Sequence, residues 1–153
     1  MRSSLVPRSN IILKYTEPAE ARKPSPSRTW RLYTFKGDDI LDVINLWERS
    51  VWLLGREEQV VDVVTPHPSC SGQHAALQFR YTMKEDDKKE ECDSMQENDR
   101  PCVRLYLIDL DSANSTRLNE KRIESGRYVE IRHGDVIEFG GSKREYVIIL
   151  PHS

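Results

Sequence analysis

The sequence lacks the features that would mark a membrane-spanning or disulfide-rich protein. Its 153 residues contain no hydrophobic run near the ~20 residues that a membrane span needs, and no apolar signal-peptide core near Met1. Only three cysteines are present, without a C-x-x-C pair, which argues against a disulfide framework and for a reducing compartment. We therefore expect one water-soluble domain, with or without a tail, and no membrane partner.

The sequence also lacks a large net charge, because 23 Lys and Arg residues nearly balance 25 Asp and Glu residues. The formal total of -2 is a cancellation between regions. Residues 1–36 carry a net charge of +6, whereas residues 84–100 carry -4. The acidic stretch has no apolar periodicity and cannot bury enough surface to order itself, so we predict a flexible charged loop at 84–100.

Two segments precede the predicted domain. Residues 1–9 contain the letters LVPRS, which resemble a thrombin cleavage site, and we interpret them as the remnant of an expression tag. Residues 10–28 are rich in proline and basic residues, a composition that predicts an extended basic lead-in. We expect the domain itself to occupy residues 29–151.

The pattern of the domain is one of short strands separated by turns. Period-two alternation begins at Trp30, and apolar runs such as Val51–Leu54 and Cys102–Leu110 are rich in β-branched and aromatic residues. This spacing predicts an all-β sandwich of about 11 mostly antiparallel strands, with functional loops at one end. The one helix candidate, Asp38–Arg49, is weak because several of its residues are poor helix formers.

Polar residues of particular kinds stand at the ends of three predicted strands. The segments are Gly55-Arg56, Ser69–His74 and Asp109–Asn119. Loops at one end of a sandwich converge even when they are distant in sequence, so these segments are candidates for a common site.

The order of these segments carries a family resemblance. G-R, S-x-x-H-A, D-L-x-S-x-N-x-T-x-L-N and the later G-D-x-I-x-F-G resemble the forkhead-associated (FHA) domain, a β-sandwich that reads phosphothreonine. Further segments, Trp30–Tyr33, His67–Ser71 and Arg144–Val147 among them, are similar to the branch that contains Smad nuclear-interacting protein, plant Dawdle and the pre-mRNA leakage protein. That resemblance implies a nuclear, non-catalytic module without a cofactor. It also implies partners in the retention and splicing complex of the spliceosome, or in microRNA maturation.

The resemblance further implies which residues bind a phosphothreonine-containing segment of a partner protein: Arg56, Ser71, Gly72 and Asn114. The chemistry of these residues agrees, because a guanidinium fork suits a phosphate dianion and hydroxyl and backbone N–H groups add donors. The amide of Asn114 suits the backbone of an extended peptide. Structural support of the site is expected from Gly55, His74, Ser115 and Thr116.

Three residues depart from the family pattern. Gly72 stands where many members have a basic residue, so one cation is missing from the expected pocket. Ser115 stands where glycine is common, and a positive φ there would cost about 1 kcal/mol relative to glycine. Arg117 replaces an apolar or aromatic residue and adds positive charge near the expected site.

The sequence is also compatible with other functions. The domain could be a scaffold with an idle phosphate pocket that docks through residues 10–28, or its basic N-terminal segment could bind RNA directly. Ser71, His74 and Asp109 could be taken for a hydrolase triad, but no G-x-S-x-G elbow accompanies them. Zinc ligation lacks finger-like spacing, so we expect no metal; its candidate ligands are His67, Cys70, His74 and Cys92. We expect a monomer.

Overall fold

The computed structural model describes residues 12–83 and 102–151, so the predicted loop at 84–100 and the predicted tag remnant at 1–9 lie outside the described residues. Within these ranges the chain forms eleven strands and one 3-10 turn at Leu46–Glu48. The strands are β1 (Arg31–Lys36), β2 (Asp39–Asn45), β3 (Val51–Gly55), β4 (Val63–Val64), β5 (Ala75–Thr82), β6 (Cys102–Asp109), β7 (Thr116–Leu118), β8 (Lys121–Arg122), β9 (Tyr128–Ile131), β10 (Val136–Phe139) and β11 (Glu145–Ile149).

The strands form two sheets that pack face to face. One sheet has six strands in the order β2-β1-β11-β10-β7-β8, and the other has five in the order β4-β3-β5-β6-β9. The β3–β4 pair is parallel and the other strand pairs are antiparallel. The predicted all-β sandwich is therefore confirmed. No helix in the described part of the chain is long and apolar enough to span a membrane.

The main core lies between the two sheets and follows the alternation read from the sequence. Leu32 of β1, Leu77 and Phe79 of β5, and Phe139 of β10 are fully buried there, beside Trp30 at 5% exposure. Burying a side chain of this size contributes roughly 1.5–3 kcal/mol. This core fixes the strand ends from which the polar loops emerge.

The five-stranded sheet is buried on its outer face as well, because the N-terminal lead-in packs across it. The Tyr15 hydroxyl donates to Gln78 Oε1 at 2.7 Å and lies 2.7 Å from the Tyr128 hydroxyl. Ala21 forms a β-bridge with Arg80. Burial raises the pKa of the Tyr15 phenol far above its ordinary value, and the Tyr128 hydrogen bond adds to the shift. From residue 12 onward, the lead-in is extended and attached to the sandwich.

The segment Asp38–Arg49, the weak helix candidate of the sequence, does not form an α-helix. This segment forms strand β2, which pairs with β1 through six residue pairs, and then the short 3-10 turn. A β-bulge near Leu41 interrupts the two-residue alternation of this strand, so the spacing of its apolar residues resembles that of a helical face. Gly37, with φ of 62°, forms the turn that folds β2 back onto β1.

The argument against disulfides is wrong for Cys102, which is disulfide-bonded, whereas Cys70 is a buried free thiol. Cys102 opens β6, directly opposite Thr82 at the end of β5.

Candidate functional site

The polar segments meet at one end of the sandwich, where Ala75 at the start of β5 pairs with Asp109 at the end of β6. The loops after β3, β4, β6 and β10 contact one another there. The strand ends that flank residues 84–101 pair at the opposite end of the same hairpin. At ~3.3 Å per residue, β5 spans about 23 Å, and this length separates the candidate site from the strand ends that flank residues 84–101.

Gly55 allows the end of β3 to press against the Ser71-Gly72 turn. A Cβ at position 55 would lie 2.1 Å from the Gly72 carbonyl oxygen, so no other residue fits without backbone movement. Arg56 N donates to Ser71 O at 3.0 Å, and Glu57 N donates to Gly72 O at 3.1 Å. These bonds fix the position of Arg56 relative to Ser71.

The Arg56 side chain is exposed and only partly engaged. Its Nε–H donates to the Cys70 carbonyl at 2.9 Å, which orients the guanidinium along the loop. No carboxylate among residues 12–83 and 102–151 forms an ion pair with it. Its terminal Nη groups therefore keep their donors available to a ligand, and a planar fork of this kind matches phosphate oxygens.

His74 holds the Ser71 loop from inside the protein. Its fully buried ring accepts the Ser71 backbone N–H on Nδ1 at 3.0 Å, and Nε2 lies 3.0 Å from the Ser115 carbonyl. An acceptor at Nδ1 requires the neutral tautomer with its proton on Nε2, which donates to Ser115. Burial lowers the pKa of His74 and outweighs the opposing effects of the Ser115 carbonyl and of Asp109. The 4.0 Å contact with Asp109 is consequently not an ion pair.

Ser115 adopts the left-handed backbone conformation, with φ of 72°. Its carbonyl accepts Gly140 N at 3.0 Å in addition to the His74 ring, and these two bonds hold the unfavourable conformation in place. The next residue, Thr116, is fully buried and donates its hydroxyl to Asp109 Oδ1 at 2.6 Å. The loop after β6 is thus fixed on both sides of Ser115.

Asn114 and Ser71 are joined through the segment between residues 69 and 71. Ala113 N donates to Ser71 Oγ at 2.9 Å, and Asn114 Nδ2 donates to the Ser69 carbonyl at 2.8 Å. The Ser71 hydroxyl accepts this bond from Ala113 N, so its own proton remains available to a ligand. The Gly72 N–H has no acceptor within the described part of the chain. The structure thus brings all four predicted binding residues to one end of the fold.

Sequence reasoning placed Ser69 in a candidate segment but gave it no role, whereas in the structure it links two loops at this end. Its carbonyl holds Asn114, and its hydroxyl accepts Gly141 N at 2.7 Å. A Cβ on Gly140, whose φ is 55°, would lie 2.7 Å from the Ser69 Oγ. The Gly140-Gly141 pair was the available signal, because consecutive glycines after a strand often mark a close backbone approach.

The positive charge expected from Arg117 is partly neutralised. Its Nη1 donates to the Gly140 carbonyl at 2.9 Å, and its Nε lies 3.7 Å from Glu138 Oε1. Arg117 therefore braces the loop after β10, and Arg56 is the more available cation at this end.

The geometry does not form a hydrolase triad. His74 Nδ1 binds the backbone N–H of Ser71 rather than its hydroxyl, and a neutral His74 with its proton directed at Ser115 cannot accept a proton from the Ser71 side chain. No group of three metal-binding side chains was found among the described residues, and Cys92 lies outside them. His67 binds Ser69, and the Cys70 thiol lies 3.8 Å from the Phe139 carbonyl.

The fold and the converging polar loops define a β-sandwich binding module. A sequence model described as the FHA domain matches residues 52–140. The chain belongs to the FHA domain family. The family resemblance read from the motifs is therefore confirmed.

Individual relatives agree with this membership. The chain is 43% identical over 142 residues to Smad nuclear-interacting protein 1 of Mus musculus, covering 91% of this chain and 34% of that protein. It is 44% identical over 144 residues to the FHA domain-containing protein DDL of Arabidopsis thaliana, covering 94% of this chain and 43% of that protein. The chain thus spans less than half the length of either relative.

A solved structure gives the same result at the level of the fold. The yeast Pml1 splicing factor, whose structure was described with its integration into the RES complex, superimposes with a TM-score of 0.72 at 26% identity. The match covers 91% of this chain and 98% of Pml1. The names of these relatives indicate a nuclear setting for the family branch.

Proposed function

We propose that this domain binds a phosphothreonine-containing segment of a partner protein through Arg56, Ser71, Gly72 and Asn114. The observation that carries the proposal is the convergence of unused donors at one end of the sandwich. The Arg56 Nη groups, the Ser71 hydroxyl and the Gly72 N–H have no acceptor among the described residues. Such a cluster suits a dianion with three acceptor oxygens.

Each residue has a separate task in this proposal. The Arg56 fork binds the phosphate, and the bond from its Nε to Cys70 O reduces the freedom that binding would otherwise remove. The Ser71 hydroxyl and the Gly72 N–H donate to the remaining phosphate oxygens. The Asn114 amide, held by Ser69, uses its free oxygen to accept a backbone N–H of the peptide.

We further propose that the partner belongs to a nuclear RNA-processing assembly. The supporting observation is the similarity to Smad nuclear-interacting protein 1 and to the yeast Pml1 splicing factor, whose reported context is the RES complex. The rival scaffold function requires the lead-in to reach a partner. From residue 12 the lead-in is occupied by contacts within the chain, including those of Tyr15 with Gln78 and of Glu17 with Ser50, which disfavours that role.

A peptide library with one fixed phosphothreonine tests the proposal, with the unphosphorylated library as its control. A selected peptide is then titrated against wild type, Arg56→Ala and Arg56→Lys. Loss of a bidentate charged contact is expected to weaken binding by about 100-fold or more. Arg56→Lys keeps the charge but not the fork, so its affinity should be intermediate.

Equal binding of phosphorylated and unphosphorylated peptides would reject phosphate recognition. Phosphate-dependent binding that Arg56→Ala leaves unchanged would reject the assignment of the pocket to Arg56. Circular dichroism and thermal melting of both variants serve as folding controls, since an exposed side chain contributes little to stability.

A further inference from the structure

A cavity next to the candidate phosphopeptide site concentrates positive charge. It has a volume of about 270 Å³ and receives basic side chains from three parts of the chain. Lys36 comes from the end of β1, His67 from the loop after β4, and Lys143 and Arg144 from the loop after β10. None of the described residues that line it is acidic.

The cations of this cavity form no ion pair with a carboxylate of the described residues, although Arg144 also lines a neighbouring pocket that contains Asp42 and Asp62. Within the described ranges, Lys36, Lys143 and Arg144 have no carboxylate oxygen within ion-pairing distance. Asp39 lies opposite Lys36 in the β1–β2 pairing, and Glu145 follows Arg144, but neither closes an ion pair. Like charges held together repel one another, and an anion placed among them relieves that repulsion.

Ser69 connects this cavity with the phosphopeptide site. Its carbonyl accepts the Asn114 amide, while its hydroxyl accepts the N–H of Gly141, a residue of the cavity wall. His67 Nδ1 lies 2.7 Å from the same hydroxyl. Ser69 therefore lies between the cavity wall and Asn114, the side chain proposed to hold the peptide backbone. An extended peptide advances ~3.3 Å per residue, so a residue close to the phosphothreonine would come within its reach.

We propose that this cavity is a second anionic subsite, which binds an acidic or phosphorylated side chain of the same segment a few residues from the phosphothreonine. The inference rests on the proposed function, because the phosphothreonine places the segment across Asn114. The subsite compensates for Gly72, where a cation is missing beside Ser71. It selects segments that carry two negative groups over segments with an isolated phosphothreonine.

The test uses one phosphothreonine peptide with neutral flanking residues and two derived sets. In the first set a single glutamate is placed in turn at each of the four positions before and after the phosphothreonine. In the second set a single phosphoserine is placed at the same positions. Wild type should bind the best peptide of each set about five- to tenfold more tightly than the neutral peptide, as expected for one or two partly exposed ion pairs. A larger gain for phosphoserine than for glutamate identifies a dianion as the preferred ligand.

The variant Lys143→Gln with Arg144→Gln should abolish this gain and leave the affinity for the neutral peptide within about twofold in ~0.15 M salt. The matched control is Lys121→Gln with Arg122→Gln, which removes the same charge from exposed residues of β8 at the far edge of the sheet. The control should keep the gain.

The outcomes separate the two proposals. If the neutral phosphopeptide binds no better than its unphosphorylated form, or Arg56→Ala has no effect on it, the proposed function fails. If that peptide behaves as proposed but no glutamate or phosphoserine improves binding, the subsite is refuted alone. If the variant Lys143→Gln with Arg144→Gln keeps the gain in affinity, the subsite is likewise refuted alone. If these substitutions instead abolish binding of single-stranded RNA and leave every peptide unaffected, the cavity serves nucleic acid and the inference is overturned.

Discussion

Replacing His74 with alanine tests whether this buried ring holds the loops of the site together. The substitution removes the acceptor of Ser71 N–H and the donor to Ser115 O. It also removes the edge contact with Phe139, whose ring centroid is 5.1 Å away. Two hydrogen bonds at about 0.5–1.5 kcal/mol each, together with about 2 kcal/mol for the cavity left by truncation, give an expected loss of roughly 3–5 kcal/mol.

The pH dependence of this variant gives a second readout. Burial lowers the pKa of His74 in the folded state, so the unfolded chain, with a histidine pKa of about 6.5, binds a proton first as the pH falls. The neutral ring therefore makes its full contribution to the free energy of unfolding above about pH 7. This contribution is lost as the pH falls from about 6.5 toward the lower pKa of the folded state. The loss is at most about 1.4 kcal/mol per pH unit. This pH-dependent loss of stability should be absent from His74→Ala.

Urea unfolding of wild type, His74→Ala and His133→Ala between pH 5.5 and 7.5 measures both effects. His133 is an exposed histidine whose ring accepts the Leu150 N–H, and loss of that bond alone should cost about 1 kcal/mol. A loss below about 1 kcal/mol for His74→Ala would contradict the bracing role. An unchanged pH dependence in that variant would contradict the assignment of a buried neutral ring.

Two further substitutions test the departures from the family pattern. Ser115→Gly should raise the free energy of unfolding by up to about 1 kcal/mol, because glycine tolerates a φ of 72°; a lower melting temperature would show that the serine side chain compensates for its backbone. Gly72→Arg should tighten phosphopeptide binding several-fold, with Gly72→Gln as the uncharged control, since a Cβ there makes only an ordinary 3.5 Å contact with Glu57. Equal affinity of these two variants would show that the new cation does not reach the phosphate.

The sandwich was predictable because its strands obey a two-residue period. In β1, Leu32 and Thr34 face the core and alternate with half-buried neighbours, as expected for a sheet that is covered on one side. In β5 both Leu77 and Gln78 are buried, because the lead-in covers the outer face. That second layer could not be inferred from the lead-in itself, whose polar and proline-rich composition resembles a linker.

Strand β2 shows why local pattern failed in one place. Its bulge puts Ile40 and Leu41 out of alternation, and all but one of its residues are exposed. The strand is specified by its pairing with β1 and by the Gly37 turn, which are contacts made after the chain folds back. Propensity is a weak prior where such tertiary pairing decides the structure.

For the candidate site, the motifs identified residues but not their hydrogen bonds. Arg56, Ser71 and Asn114 were recognisable because each stands in a family segment. The role of Ser69 was not, because a serine that links two loops has no spacing of its own.

The most direct test of phosphothreonine recognition is calorimetric titration of one selected peptide, phosphorylated and unphosphorylated, into wild type and Arg56→Ala. Binding that requires the phosphate and weakens by about 100-fold or more in the folded variant is the predicted result. Phosphate-dependent binding of equal affinity in the two proteins would contradict it, because the Arg56 fork is the cation that the proposed pocket places on the phosphate.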